Sequence, residues 1–307
     1  MKHHFYLLVF FIGCTCPFLC AQATDSLQII NPGLSPSVVP FRHVEIGFFN
    51  RLSTEKSLFK FDSIAETSRF SSLYHVLQVA YGVSKNNRLN VGASFIFAHT
   101  RSDADETRGA FSVLKSGDAN ATVFREPAAL GVYARGLPFQ RLPELTVQAG
   151  VFFPASRKQT ARQYSGYDRT LAQVQVSFYQ QFRPWFYLFA TAETDVLFAN
   201  DTRKQTSVLL PVNLYPVFRL GYFSKTYLFG NLGYNGNFSK VSPGFLKGNG
   251  YRVQYGLGVQ HYFQPSFSAY ALLQGPALIE TKSVTTTTLK KGAFALSLGV
   301  RWVVQGL

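Results

Sequence analysis

Short stretches in which apolar and polar residues alternate recur about a dozen times along this sequence, and that period of two constrains it more than any motif does. In Leu89-Asn90-Val91-Gly92-Ala93-Ser94-Phe95-Ile96-Phe97 the odd positions are apolar, and most even ones are small or polar. Successive side chains of a strand point to opposite faces, so such a stretch has one greasy and one polar side. One strand of this kind fits any half-buried sheet. A dozen in series, at roughly membrane-spanning length and after an export signal, predict an all-β fold: a closed antiparallel transmembrane β-barrel of about twelve strands, with short periplasmic turns and long extracellular loops.

The export signal is read in residues 1–23. Lys2 supplies a positive start, Phe5 to Ile12 an unbroken apolar run, and Ala21-Gln22-Ala23 a small-x-small cleavage site. The run is too short for a spanning helix, and Pro17 interrupts its extension. Acylation at Cys14 or Cys20 is the alternative. Pro17-Phe18-Leu19 is bulky where a lipobox needs small residues, and Cys14 leaves a very short apolar run. The expected organisation is therefore a signal peptide over 1–23, a periplasmic segment over 24–40 and a barrel over 41–307.

All three cysteines (Cys14, Cys16 and Cys20) fall inside that first segment, so the mature chain is expected to lack disulfides and thiolate chemistry. Removing the segment takes Lys2 alone of the Lys, Arg, Asp and Glu residues, leaving 29 of the 30 basic residues against 16 acidic ones. A positive excess of that size can indicate nucleic acid. Here the basic residues are scattered through loops, so no nucleic-acid partner is expected. A basic rim facing water and anionic lipid headgroups accounts for them. No other stretch reaches the ~18–20 consecutive apolar residues of a helical span. Yet 47% of residues are hydrophobic and only 15% charged, which leaves a closed barrel or a periplasmic all-β domain.

Strand cores are expected at 42–52, 70–83, 88–101, 127–136, 144–154, 170–182, 185–198, 208–223, 226–238, 251–263, 266–276 and 292–304. An even count returns the chain to the side on which it began. Tight turns at Ser84-Lys85-Asn86-Asn87, Arg183-Pro184, Ser224-Lys225 and Gln264-Pro265 take turns with longer polar segments such as 102–126 and 155–169. A sandwich gives no reason for so regular an asymmetry. Pro211 and Pro216 predict a bulge or an early end in the strand at 208–223, because proline cannot donate to the ladder.

Parity assigns the faces. The lipid side takes Leu77, Val79, Tyr81 and Val83, then Leu89, Val91, Phe95 and Phe97, and on through Tyr255, Leu257 and Val259 to Leu298, Val300 and Trp302. The opposite side takes Asn90, Gly92 and Ser94, then Gln173, Gln175 and Ser177, then Asn231, Gly233, Asn235 and Asn237, then Gln254, Gly256, Gly258 and Gln260. So many amides need a wet interior, since a dry sandwich core leaves them unpaired. Glycine and serine there predict some open space, which Arg219, Arg252 and Arg301 could bridge shut. Aromatics beside the short turns predict an interfacial girdle: Phe182, Trp185 and Phe186; Tyr222, Phe223 and Tyr227; Tyr262, Phe263 and Phe267.

Three short segments carry a family likeness. Val39-Pro40 is followed by Val44-Glu45-Ile46-Gly47. Val79-Ala80-Tyr81-Gly82-Val83 and Arg88-Leu89-Asn90-Val91-Gly92 flank a tight turn. Val151-Phe152-Phe153-Pro154 ends a mid-chain strand. In these the chain resembles the outer-membrane β-barrels of Gram-negative bacteria, particularly the transporter-like barrels of the phenol-degradation-associated type found widely in Bacteroidota. The resemblance implies an outer-membrane location and passage of small molecules, with the substrate open.

Candidate chemistry is sparse. His75, His99 and His261 fall on lipid-facing parity near strand ends, where a barrel lipid hydrolase would want one. No Gly-x-Ser-x-Gly accompanies them, and a histidine reaching toward headgroups is the simpler account. Gly248-Asn249-Gly250, read as a loop before a strand, has no following helix to make a phosphate site. Lumen parity carries Glu45, Glu193, Asp195, Arg219, Arg252 and Arg301. Glu193 and Asp195 point the same way, and a ladder of acids paired with arginines across the interior is expected rather than acid–base catalysis. No metal site is expected, because no histidine or third carboxylate can be placed beside them. The expectation is a monomer in outer-membrane lipid, with no cofactor and no enzymatic activity, acting as a passive conduit for a small solute. The rival readings are a structural or adhesive barrel with a sealed lumen and a lipid-modifying enzyme.

Overall fold

The computed structural model describes residues 38–61, 64–104, 109–116, 121–201, 205–221, 225–242, 245–281 and 289–305. Of the expected signal peptide and periplasmic segment, all but residues 38–40 lie outside the described residues, as do Tyr222 and Phe223. Twelve strands follow one another: β1 (His43–Phe61), β2 (Ile64–Gly82), β3 (Leu89–Asp103), β4 (Ala121–Gly136), β5 (Leu145–Pro154), β6 (Leu171–Arg183), β7 (Phe186–Leu197), β8 (Ser207–Arg219), β9 (Thr226–Ser242), β10 (Phe245–Gln264), β11 (Phe267–Thr281) and β12 (Leu289–Gln305). Each pairs antiparallel with its sequence neighbours, and β1 pairs with β12 to close the barrel. Closure satisfies the ladder hydrogen bonds of both end strands and leaves no sheet edge, which a wall facing hydrocarbon requires.

The register places the apolar rows as parity predicts. Phe48 lies opposite Leu77, Leu77 opposite Phe95, Phe95 opposite Leu130, and Leu130 opposite Phe153, giving one exposed row across five strands. The same outward exposure continues through Val174, Val176, Leu228, Leu232, Tyr255, Leu257, Val259, Leu298, Val300 and Trp302. On a soluble protein such a surface would be an aggregation hazard; around a barrel it is the lipid contact.

Several strands run further than the alternation suggests. β1 and β2 continue to Phe61 and from Ile64, β4 begins at Ala121 rather than 127, and β9 and β10 extend to Ser242 and from Phe245. Gly248-Asn249-Gly250, expected in a loop, lies within β10 beside a register shift. In these extensions the strict alternation has faded while the ladder of cross-strand pairs continues.

The two prolines act differently from the expected bulge. β8 ends early, at Arg219, but its register with both neighbours is unbroken. Pairing with β7 lapses between Val212 and Leu209, around Pro211, and pairing with β9 lapses between Val217 and Leu214, around Pro216. Each proline thus costs its missing donor on one side only, and the register on the other side runs through it. Register slips instead elsewhere, for instance in β4, where the pairing with β3 shifts between Ile96 and Phe97 opposite Ala129 and Pro127.

Two small elements interrupt the connections on the side away from the short turns. A 3-10 helix, Ala110–Leu114, lies between β3 and β4, and a short helix α1, Gln159–Ser165, lies between β5 and β6. The first packs on the outer wall and the second enters the barrel. At the short-turn end the girdle forms around Phe182, Trp185, Phe186 and Phe218, with Phe263 stacked on Phe267. Tyr227 and Tyr262, expected in that girdle, face inward and pack edge to face, 5.7 Å between ring centres. Their parity is that of Phe229 and Gln260, which are buried inside, and parity decides over proximity to a turn.

Candidate functional site

The site is the inner wall, which has three tiers. At the short-turn end Glu45 of β1 is buried and takes two arginines. The Arg301 guanidinium of β12 donates to Oε2 from Nε at 2.8 Å and from a terminal nitrogen at 2.5 Å. Arg135 of β4 lies 3.5 Å from Oε1, donates from Nε to Gln148 Oε1 at 3.0 Å, and sits over the Tyr133 ring. Beside this cluster, at the short-turn mouth, the first described residues fold in. Val39 is fully buried against Ala80, Tyr133 and Val303, the Phe41 N–H donates to Asn87 Oδ1 at 2.6 Å, and the Arg42 N–H donates to the Gly82 carbonyl at 3.0 Å. Gly82 is needed there, because a Cβ would run into the Pro40 backbone.

The middle tier is aromatic. Tyr187, Phe189, Tyr215, Val217, Phe229 and Leu272 form one buried cluster, with Tyr179, Tyr227 and Tyr270 against it. Phe49 meets Tyr270 and carries the column upward. The wall behind is polar: Gln274 donates to Asn231 Oδ1 at 2.8 Å, while Asn231 to Asn213 and Asn213 to Thr191 are longer contacts of 3.5 Å. The interior is thus not simply the wet, amide-lined space that parity predicts. The amides are there, but rings cover the glycines: Tyr133 lies where a side chain at position 92 would go, Phe229 across Gly258, and Tyr270 with Phe49 across Gly299. Glycine on this wall is space already occupied.

The upper tier holds the second acidic group. Gln173 of β6 donates to Glu193 Oε1 at 2.9 Å and reaches Asp195 Oδ1 at 3.3 Å. Asp195 is fully buried, and its Oδ2 has no hydrogen-bond partner. The expected ladder therefore holds in part. Glu45 meets Arg301, and Arg252 donates to Glu55 at 2.9 Å, but Glu193 and Asp195 bond to an amide and to no arginine among the described residues. The reason is register: Asp195 is directly opposite Gln173 and Glu193 opposite Gln175, so amides occupy the near positions. Arg219 also faces inward, at the short-turn end of β8.

Into this tier comes the β5–β6 connection. Tyr74 Oη donates to the Ser165 carbonyl at the end of α1 at 3.0 Å, and the Tyr164 ring packs with Phe70 and Phe124. Tyr167 follows, buried among Phe49, Val76, Ile96, Phe152 and Leu171, and that burial pushes its phenol well above the usual range. The connection is latched at the rim: Lys158 pairs with Glu126 at 2.8 Å, and Arg169 donates to the Gln205 carbonyl and to Ser207. In the sequence this segment is a long polar connection on the extracellular side, with no periodicity to mark that it folds inward. Arg51, buried near Tyr74, Tyr215, Tyr270 and Arg252, was also missed, although it shares the parity of Glu45; Arg135 lay in a strand whose faces were left unassigned.

The outward histidines keep their parity but gain no catalytic partners. His75 Nδ1 lies 2.5 Å from Asn50 Oδ1 and edge-on to His99, while His261 Nδ1 meets Thr226 Oγ1 at 2.8 Å. No serine hydroxyl is bonded to any of the three among the described residues. Nor do three His, Cys, Asp or Glu side chains gather as a metal site among them.

This closed twelve-strand wall with its inward-folded loop is the fold of outer-membrane β-barrels. It is similar to an outer membrane channel from Pseudomonas putida F1, with a TM-score of 0.62 at 14% identity over 90% of this chain and 100% of that one. Looser similarity extends to the transport unit of the Escherichia coli autotransporter AIDA-I, with a TM-score of 0.48 at 11% identity over 91% and 94% of the two chains. No family model matches the sequence, and no curated protein matches it.

Proposed function

We propose that the chain is an outer-membrane conduit, a monomer without a cofactor, exported through a cleaved signal over residues 1–23. It would pass small molecules that combine an apolar or aromatic body with a hydrogen-bonding group. The observation that carries this reading is the column of rings from Tyr262 and Tyr227 through Tyr187, Phe189, Tyr215 and Phe229 to Tyr270 and Phe49, backed by amides on the same wall. Ring faces bind apolar and aromatic bodies without fixing them, and amides hold a hydroxyl or carbonyl. A barrel of twelve strands lies between those filled by side chains and those with an open channel, so what passes depends on the lining. The resemblance to phenol-degradation-associated barrels, carried by segments in the first strands and by Val151–Pro154, agrees with this assignment.

The sealed structural barrel is the second reading, favoured by one feature: Tyr167 is buried in the lumen with α1 above it. Planar-bilayer recording of refolded protein separates the two. The conduit predicts small discrete currents, larger in Tyr167→Ala and reduced by added 4-hydroxybenzoate but not by glucose. Absence of current in both proteins leaves the sealed barrel. Current indifferent to the aromatic solute removes the ring column from the mechanism.

A further inference from the structure

The 3-10 helix Ala110–Leu114 lies against the lipid-facing wall, outside the lumen. Its Ala110 and Val113 pack on Leu52 of β1 and Leu73 of β2, both of outward parity. Leu73 is eight residues along β2 from Tyr81. At ~3.4 Å per residue and ~40° tilt that is roughly 20 Å up the wall, close to the upper limit of an apolar band about 25 Å tall. The opposite side of the helix presents Phe111 and Leu114, 64% and 53% exposed, with Lys115 exposed beside them.

Its backbone is satisfied in an unusual way. The Arg125 guanidinium donates to the carbonyls of Leu114 and Lys115, each at 2.8 Å, and Arg101 donates to the Ser116 carbonyl at 3.0 Å. Arg101 also pairs with Asp103 at 2.7 Å, both side chains nearly inaccessible, and Ser112 Oγ reaches the same carboxylate at 3.4 Å. In water these carbonyls would need no such partners. Beside hydrocarbon, irregular backbone persists only when its polar groups are bonded within the protein.

We propose that this helix is a membrane-interface wedge: Phe111 and Leu114 enter the boundary between acyl chains and headgroups of the extracellular-side leaflet, and Lys115 reaches up to lipid phosphate. Below the helix the same outer face carries Asn50, His75 and Phe97, and below these the exposed row formed by Phe48, Leu77 and Phe95. A lysine at this height is placed as interfacial lysines are, with its stem in the apolar layer and its charge in the headgroups.

The test labels the full chain, with Cys14, Cys16 and Cys20 changed to serine, at one introduced cysteine each: Phe111→Cys, Leu114→Cys, Val132→Cys or Lys158→Cys. Each nitroxide-labelled protein is refolded into phosphatidylcholine–phosphatidylglycerol vesicles, and its collisions with oxygen and with a water-soluble nickel chelate are measured by EPR. The expected result is the oxygen-over-nickel preference of Val132 at positions 111 and 114. A nickel preference like that of Lys158 would overturn the wedge, and so would shielding from both reagents, which means a protein cover. The proposal rests on the barrel being in the membrane, and Val132 reports that separately: a lipid-like signal there with water at 111 and 114 refutes the wedge alone.

Discussion

Glu45 and the Glu193–Asp195 pair are buried carboxylates on the same inner wall, yet they are held in opposite ways. Glu45 sits at the seam where β1 meets β12 and takes Arg301 from the far end of the chain, with Arg135 from β4. Glu193 and Asp195 face the amide of Gln173, and Asp195 Oδ2 is left without a hydrogen-bond partner. The two sites differ in register rather than in composition. At the seam, closure brings together residues 256 positions apart, while on β6 and β7 the ladder places amides opposite acids. A charge ladder is thus a property of which strands meet, and charges of the right sign on the right parity do not make one.

The strongest way to break that contrast is Glu45→Ala. It leaves the buried Arg135 and the half-buried Arg301 guanidinium groups without their carboxylate, so a loss of about 3–5 kcal/mol is expected, read from the urea unfolding midpoint of refolded protein. A loss near zero would mean water already screens the cluster. Leu257→Arg tests the other side of the wall. Leu257 is 76% exposed at mid-strand, and a cation there should cost about 2–4 kcal/mol if lipid surrounds it. The comparison to run is the same variant in detergent with a short and a long acyl chain.

Gly258→Ala is expected to cost about 1–3 kcal/mol, because the Phe229 ring must shift or the β10 backbone must bend. An unchanged midpoint would show that the ring moves freely and that the lumen has room at that height. Glu193→Gln is the smallest expected effect. The amide keeps the shape and an acceptor for Gln173, so stability should change by less than about 1 kcal/mol. Should it destabilise as much as Glu45→Ala, the two acidic groups are equivalent and the register argument fails.

The wall was legible because its signal is local and repeated. A period of two sorts Leu228 and Leu232 from Asn231 and Gly233 without reference to any other strand, and their exposures agree. The same parity, which outranks nearness to a turn, places Tyr227 and Tyr262 inside. It would have found Arg51 as well. The Ala121 start of β4 and the long β1–β2 hairpin were not legible, because the strict alternation lapses there and only cross-strand pairing defines the strand.

What the sequence alone determined is a surface: which residues face lipid, which face inward, and that the sheet must close, since an open edge cannot exist in hydrocarbon. Only the tertiary structure decided what fills the enclosed volume. Tyr167 and α1 come from a connecting segment with no period at all, Val39 comes from ahead of the first strand, and the rings that cover Gly92 and Gly258 come from neighbouring strands. Those contacts are non-local, and a local alternation carries no information about which side chain crosses to meet which.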